Sequence, residues 1–166
     1  MAVLAVNKRA GFDYEILDKY EAGIVLFGHE VKAIRSGQVS LKGSYVTLKR
    51  TKKLLPEVNL TNAHISLYKH ASNIKDYNPD RSRKLLIKKR EINRLVGKKA
   101  EQGLTLVPLK IYTKRSLIKL EFALARGKKK YDKREAIKKR ETDRKIKDEI
   151  KKKLRTARPA SLGEVV

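Results

Sequence analysis

Three histidines are the first candidates for chemistry: His29, His64 and His70. Their spacing fits no zinc-ligand pattern, and the chain has no cysteine to complete one. Each is therefore expected on the surface or in the core, with no metal or other cofactor implied. Glu21 and Glu30 would make an acid/base pair only if the fold brought them together. No phosphate-cradling G-x-x-x-x-G-K-[ST] loop occurs, and Gly127-Lys128-Lys129-Lys130 lacks the upstream glycine. No G-x-S-x-G nucleophile elbow occurs either. The expectation is a protein that is not an enzyme and has no small-molecule substrate. What remains is basic groups interleaved with aromatics. Lys32 and Arg35 share a face of a predicted helix. Arg81, Arg83 and Lys84 precede the apolar run at Leu85, and Lys88, Lys89 and Arg90 follow it. Tyr131 lies between Lys130 and Lys133-Arg134. An aromatic among bases can stack on an unpaired nucleotide, for roughly 1–3 kcal/mol per base. A basic helix face is ordinarily only a solvated face, and for Lys32 and Arg35 alone the two readings weigh the same.

The charge balance decides for the chain as a whole. Its 166 residues carry 42 Lys+Arg against 18 Asp+Glu, a formal net charge of +24. Such a charge opposes compaction unless a polyanion neutralises it. Nucleic acid leads over an anionic membrane or an acidic protein, because each cation placed on a phosphate releases a condensed counterion. The density rises near Arg126: residues 126–158 hold 17 Lys+Arg and 6 Asp+Glu, more than solubility needs. The remainder is basic too, so two contact regions are expected. No apolar run approaches the roughly 20 residues that span a bilayer. The apolar start, Met1 to Val6, is too short and lacks the flanks of a signal peptide. The expected compartment is the cytoplasm, with no membrane partner.

The elements that must position these groups read mostly as strands. Ile24 to Phe27, Tyr45 to Leu48 and Val58 to Leu67 are rich in β-branched and aromatic residues. Leu104 to Val107 and Leu109 to Tyr112 flank Pro108, which demands a sheet edge or a bulge. Thr113 to Ser116 turns the chain, and Ile118, Leu120, Phe122 and Leu124 then alternate with a period of two. Helices are predicted from His29 to Ser36, ended by Gly37, and from about Lys84 to Val96, ended by Gly97. Leu85-Leu86-Ile87 could instead be a strand. The class is mainly β with flanking helices, a small closed or partly open antiparallel barrel. The expected division is residues 1–125 as the barrel and residues 126–166 as a basic tail.

The tail carries five acid-then-base pairs at i,i+4: Glu135–Lys139, Glu141–Lys145, Asp143–Lys147, Asp148–Lys152 and Glu149–Lys153. Its apolar stripe is only Ile146, Ile150 and Leu154, with Ile137 apart. That is too narrow to dock firmly, so the tail is expected to be disordered or a fluctuating helix alone and to order on its partner.

Several motifs now line up in one order. Asn7-Lys8-Arg9-Ala10 and Tyr14-Glu15-Ile16 come first, then Tyr20-Glu21-Ala22-Gly23-Ile24-Val25-Leu26 and Gly28-His29-Glu30-Val31-Lys32-Ala33-Ile34-Arg35. Asn78-Pro79-Asp80-Arg81-Ser82-Arg83-Lys84-Leu85-Leu86-Ile87 follows, with Glu91-Ile92, Thr105 to Leu109 and Ile111-Tyr112. Ala125-Arg126-Gly127-Lys128-Lys129 and Tyr131-Asp132-Lys133-Arg134 close the series. Over almost its whole length the chain resembles the SsrA-binding protein (small protein B) family, which partners transfer-messenger RNA (tmRNA). The resemblance implies an OB-like barrel and rescue of stalled ribosomes by trans-translation. The barrel would bind the tRNA-like domain of tmRNA, one protein copy per RNA. The tail would become helical in the ribosome's decoding centre and vacant mRNA channel. Asn7, Lys8, Glu21, Lys32, Arg35, Arg83, Lys84 and Leu86 fall on motifs tied to the tmRNA surface. Gly127, Lys128, Lys129 and Tyr131 fall on the decoding-centre motif, which Asp132, Lys133, Arg134, Ile137, Lys138 and Arg140 continue. His29 stands where an aromatic is common and Ile87 where the run is often all leucine. Residues 156–166 extend past the motif. The competing expectations are a ribosomal protein or assembly factor, and an RNA-modifying or cleaving enzyme.

Overall fold

The computed structural model describes residues 2–50, 55–71, 74, 76–99, 103–129, 131, 141–142, 144 and 146–150. The chain forms two units, residues 1–128 and 129–166. The first ends slightly beyond the expected boundary, because the last strand runs on to Gly127.

In chain order the first unit contains β1 (Ala2–Val6), α1 (Ala10–Asp13), β2 (Tyr14–Ile24), α2 (Gly28–Arg35), β3 (Val39–Ser40) and β4 (Tyr45–Lys49). Then come β5 (Glu57–Thr61), β6 (His64–Ile65), β7 (Arg83–Leu86), α3 (Lys89–Lys99), β8 (Leu104–Lys114) and β9 (Leu117–Gly127). Seven strands form one sheet in the order β1-β8-β9-β2-β7-β5-β4, every described pairing antiparallel. The far strand β4 comes back against β8 without a ladder between them. The sheet is thus curled and open, with flanking helices, in an OB-like manner.

The alternating residues of β9 set which of its faces meets the core. Ile118, Leu120, Phe122 and Leu124 point into the core with Leu106, Ile111, Leu60 and Ile34. Ala123 and Ala125 are buried on the opposite face, where Ala125 joins Ala10 and Val107 under the short helix α1. Pro108 lies in β8, inside the sheet between β1 and β9, so of the two expectations the bulge is realised: the β8–β9 register shifts between Pro108 and Lys110. The β8–β9 turn is two residues long, Arg115 (φ 49°) and Ser116 (φ 63°), both left-handed as a tight hairpin turn requires.

Three predicted elements shift. The expected strand from Ile24 to Phe27 ends at Ile24, because the chain turns there into α2. The stretch from Val58 to Leu67 breaks at Asn62 (φ 58°) into β5 and β6. The expected helix from Lys84 divides: Arg83–Leu86 pairs as β7, and α3 starts at Lys89 and continues through Gly97 to Lys99. Gly37 does end α2, at φ 76°, with the Gly37 amide on the Ile34 carbonyl and the Gln38 amide on that of Ala33.

In the second unit, residues 141–142, 144 and 146–150 are helical. Arg144 Nε stands 3.9 Å from Asp148 Oδ2, and Ile146 and Ile150 are about half exposed (50% and 52%), so the described stripe is not packed into a core. Each of the five predicted acid-then-base pairs has a member outside the described residues, as does the stripe at Leu154.

Candidate nucleic-acid interface

Strand register sets one row of residues across five strands: Leu86 (β7), Gly23 (β2), Lys119 (β9), Tyr112 (β8) and Val3 (β1) are direct neighbours. Side chains alternate along a strand, and Ala22, Leu120 and Ile111 beside this row point into the core. The row therefore lies on the sheet's outer face, together with Glu21, two residues before Gly23. The Glu21 carboxylate accepts hydrogen bonds from Tyr112 Oη, from Lys119 Nζ at 2.5 Å and from Lys114 Nζ at 3.2 Å. The Lys119 bond, then the Tyr112 bond, hold the Glu21 carboxyl down at about 2 against the modest effect of burial. Burial, then the same carboxylate, push the Tyr112 phenol up to about 12. An anion would repel phosphate. Glu21 acts here by fixing two ammonium groups and a phenol at set positions on the face.

Other expected residues join this end of the sheet. Leu86, 57% exposed, lies over Gly23, where an added Cβ would come within 3.4 Å of the Leu86 Cβ. Lys84 pairs with Glu57 at 2.8 Å. Lys32 and Arg35 are exposed on α2, whose other side buries Ala33 and Ile34. Lys32 Nζ sits 5.8 Å from the Tyr68 ring centre, and Arg35 Nη2 donates to the Ser116 carbonyl at 3.1 Å. That bond ties α2 to the β8–β9 turn. Glu21, Lys32, Arg35, Lys84 and Leu86 thus share one end of the unit with Lys114, Arg115 and Lys119.

Arg83 is not part of this surface, which corrects its expected RNA contact. Its side chain is fully buried and all five N–H donors are engaged. Nε donates to Glu30 at 2.9 Å, Nη1 to the Ala63 and Arg81 carbonyls at 2.7 and 3.0 Å, and Nη2 to Tyr77 Oη and the Pro79 carbonyl at 3.2 and 2.8 Å. Its work is to fasten the loop before β7. Glu30, also fully buried, receives Arg81 Nε at 2.9 Å, Arg81 Nη2 at 2.5 Å and the Phe27 amide at 2.8 Å. Burial pushes the Glu30 carboxyl up, but the Arg81 and Phe27 bonds and the Arg83 charge outweigh it and hold it low. Glu21 and Glu30 each have their own basic partners and do not act as a pair.

Asn7 and Lys8 follow β1, three strands across the sheet from β2; Val6 just before them is level with Lys110, Glu121 and Glu21. Asn7 is occupied at both ends of its amide: Oδ1 accepts the Arg9 amide at 3.2 Å and Nδ2 donates to the Pro108 carbonyl at 3.0 Å. It shapes the loop that exposes Lys8 and Arg9. Gly127 ends β9, and Lys128 is held to α1, its amide on the Asp13 carbonyl at 3.0 Å and its Nζ on the Gly11 carbonyl at 2.9 Å. Lys129 and Tyr131 are exposed. Asp132, Lys133, Arg134, Ile137, Lys138 and Arg140 lie outside the described residues. Sequence reasoning missed Lys114, Lys119 and Tyr112. Lys119 was legible as an outward position of an alternating strand, whereas Tyr112 needed the register to bring it to Glu21. Among the described residues, no three His, Asp or Glu gather as a metal site, and no helix is long and apolar enough to cross a membrane.

The model of the SmpB protein family matches residues 4–152. The chain belongs to the SmpB family. It is 50% identical to the SsrA-binding protein of Thermosipho africanus, over 92% of this chain and 99% of that one. It is 50% identical to the SsrA-binding protein of Streptococcus mutans, over 90% and 92%. A solved structure described as "tmRNA-SmpB: a journey to the center of the bacterial ribosome" matches with a TM-score of 0.60 at 45% identity, over 80% of this chain and 93% of that one. SmpB proteins are non-catalytic RNA-binding adaptors, in keeping with the absence of catalytic motifs in this sequence.

Proposed function

We propose that this chain binds tmRNA and brings it to stalled ribosomes in trans-translation. Membership of the SmpB family carries that reading. The Glu21-organised face supports a finer one, in which the barrel holds the tRNA-like domain of tmRNA. Lys114 and Lys119 are fixed there at set spacing, Lys32, Lys84 and Arg35 surround them, and Leu86 offers an apolar contact. Fixed cations read the shape of a folded RNA better than free ones, since less side-chain entropy is lost on binding. The basic tail beyond Lys128 would enter the decoding centre and the empty mRNA channel, ordering as a helix against the surrounding phosphates. A vacant channel admits it and a message excludes it. The protein would act in the cytoplasm, one copy per tmRNA. Truncation after Lys128 tests this division: tmRNA binding is kept and rescue of ribosomes stalled without a stop codon is lost. Loss of tmRNA binding in the truncated protein would refute it.

A further inference from the structure

The last carbonyls of a helix have no partner inside it. In the one-turn helix α1, Lys128 satisfies two of them from the far end of the unit's sequence. Its backbone amide donates to the Asp13 carbonyl at 3.0 Å, and its Nζ donates to the Gly11 carbonyl at 2.9 Å. α1 has no basic residue in its own last turn, so the cation that favours a helix C-terminus comes from 117 positions away. α1 is itself fastened well enough to serve as an anchor. Ala10, 2% exposed, packs with Val107 and Ala125 in a small cluster of its own. The Ala10 amide is on the Asn7 carbonyl at 3.2 Å, and the Phe12 and Asp13 amides are on that of Arg9 at 3.0 and 2.9 Å. Asn7 in turn is bonded through both ends of its side-chain amide, to the Arg9 amide and to the Pro108 carbonyl of β8. Lys128 is half-buried, whereas Arg126, Gly127 and Lys129 on either side of it are exposed.

We propose that Lys128 is a positioning residue: clasped on α1, it fixes the point from which the tail starts, and it does not itself contact RNA. The proposal rests on the tail entering the ribosome, as proposed above. The Asp13–Lys128 bond continues the register of Tyr14 and Gly127 by one step, at the end of the β2–β9 ladder. Such an end frays unless something closes it, and the Nζ bond to Gly11 is the contact that does so. A start held at one place confines the residues that follow to a smaller volume. That raises their effective concentration at a vacant channel once the barrel is bound. Less freedom is then lost when the tail orders.

The chain has no cysteine, so spin labels on K19C/Y131C, two exposed positions, report the spread of distances from β2 to the start of the tail in the free full-length protein. The expected result is a broader distribution in K128M and the original one in K128R, whose guanidinium can donate to the same carbonyl. A10V crowds the cluster under α1 and displaces its carbonyls. It should broaden the distribution too, and K128M added to it should change nothing further. On ribosomes stalled at a message's end, the K128M complex without labels should bind with wild-type affinity. Its single-turnover rescue should be about fivefold slower, as for the loss of one exposed hydrogen bond from a charged group. An unchanged distance distribution in K128M would overturn the clasp. So would additive effects of A10V and K128M, because Lys128 would then act apart from α1. A weaker ribosome affinity with a salt slope shallower by about 0.9 would make Lys128 a phosphate contact and overturn the positioning role. A wild-type protein that binds tmRNA but rescues no stalled ribosome would refute the proposed function, while the free-protein distances still decide the clasp.

Discussion

Replacing Arg83 by Met tests the account of the loop before β7. Methionine keeps the length and apolar bulk, so the cavity left is small and the electrostatic loss dominates. Arg83 makes five hydrogen bonds, and its removal leaves the buried Ala63 carbonyl and the partly buried Pro79 carbonyl without that donor. Glu30 keeps Arg81 and the Phe27 amide but loses its fully buried cationic partner. Breaking a buried pair by deleting one partner costs about 3–5 kcal/mol. For a domain of this size that corresponds to a fall in Tm of roughly 10–20 °C. Thermal and urea melts followed by far-UV circular dichroism measure it. R83K should recover only part of the loss, since an ammonium has three donors and no fork to span Glu30, Ala63 and Pro79 together. An R83M protein melting within about 3 °C of wild type, set against the loss expected from a buried pair, would refute this reasoning. So would a stably folded R83M that had lost RNA affinity, because Arg83 would then be an RNA contact after all.

Three further outcomes follow from the geometry. The Glu21 carboxyl is held at about 2 in the fold against 4.5 for a free group, so its stabilisation is complete above about 4.5 and is lost as pH falls toward 2. Wild type should therefore exceed E21Q in melting temperature by a constant margin above pH 5, and the two should converge near pH 2. In K128M, the bond from Nζ to Gly11 is lost at the surface; tmRNA affinity and Tm should stay near wild type while single-turnover rescue falls. Its ribosome-binding salt slope should be unchanged, whereas a phosphate contact at Lys128 would lower it by about 0.9. Replacing the left-handed Arg115-Ser116 pair by Asn-Gly should raise the urea midpoint, by about 1 kcal/mol of stability, since those residues accept φ > 0 at less cost.

The antiparallel, barrel-like class and the strands β4, β5, β8 and β9 were legible in local pattern, whereas β1, the long β2 and β3 were not predicted. Ile118 to Leu124 alternate because one face of β9 meets the core, and that face could be named from sequence alone. The ambiguity at Leu85-Leu86-Ile87 was genuine: three apolar residues fit a strand or a helix, and only pairing with Gly23 and Ile24 resolves it. Gly97 misled for a related reason. Glycine permits a helix to end but does not require it, and α3 runs on. The interface was legible as a set of residue types and motifs but not as a place. Asn7 and Lys8 follow the edge strand β1, whereas Glu21 and Leu86 lie on β2 and β7, three and four strands across the sheet.

The sequence alone determined the basic character of the chain, its denser tail, the period of β9 and its family. These are sums and short-range patterns, and each survives without knowing which residues meet. Only the tertiary structure decided the roles of the charges. Arg83 and Lys84 are adjacent in sequence, yet strand alternation sends one into the core and the other to solvent. Glu21 binds lysines about a hundred residues away because antiparallel register brings β9 beside β2 and β8 beside β9. Whether a cation holds the fold or is free for RNA depends on burial and partners, and both come from contacts distant along the chain.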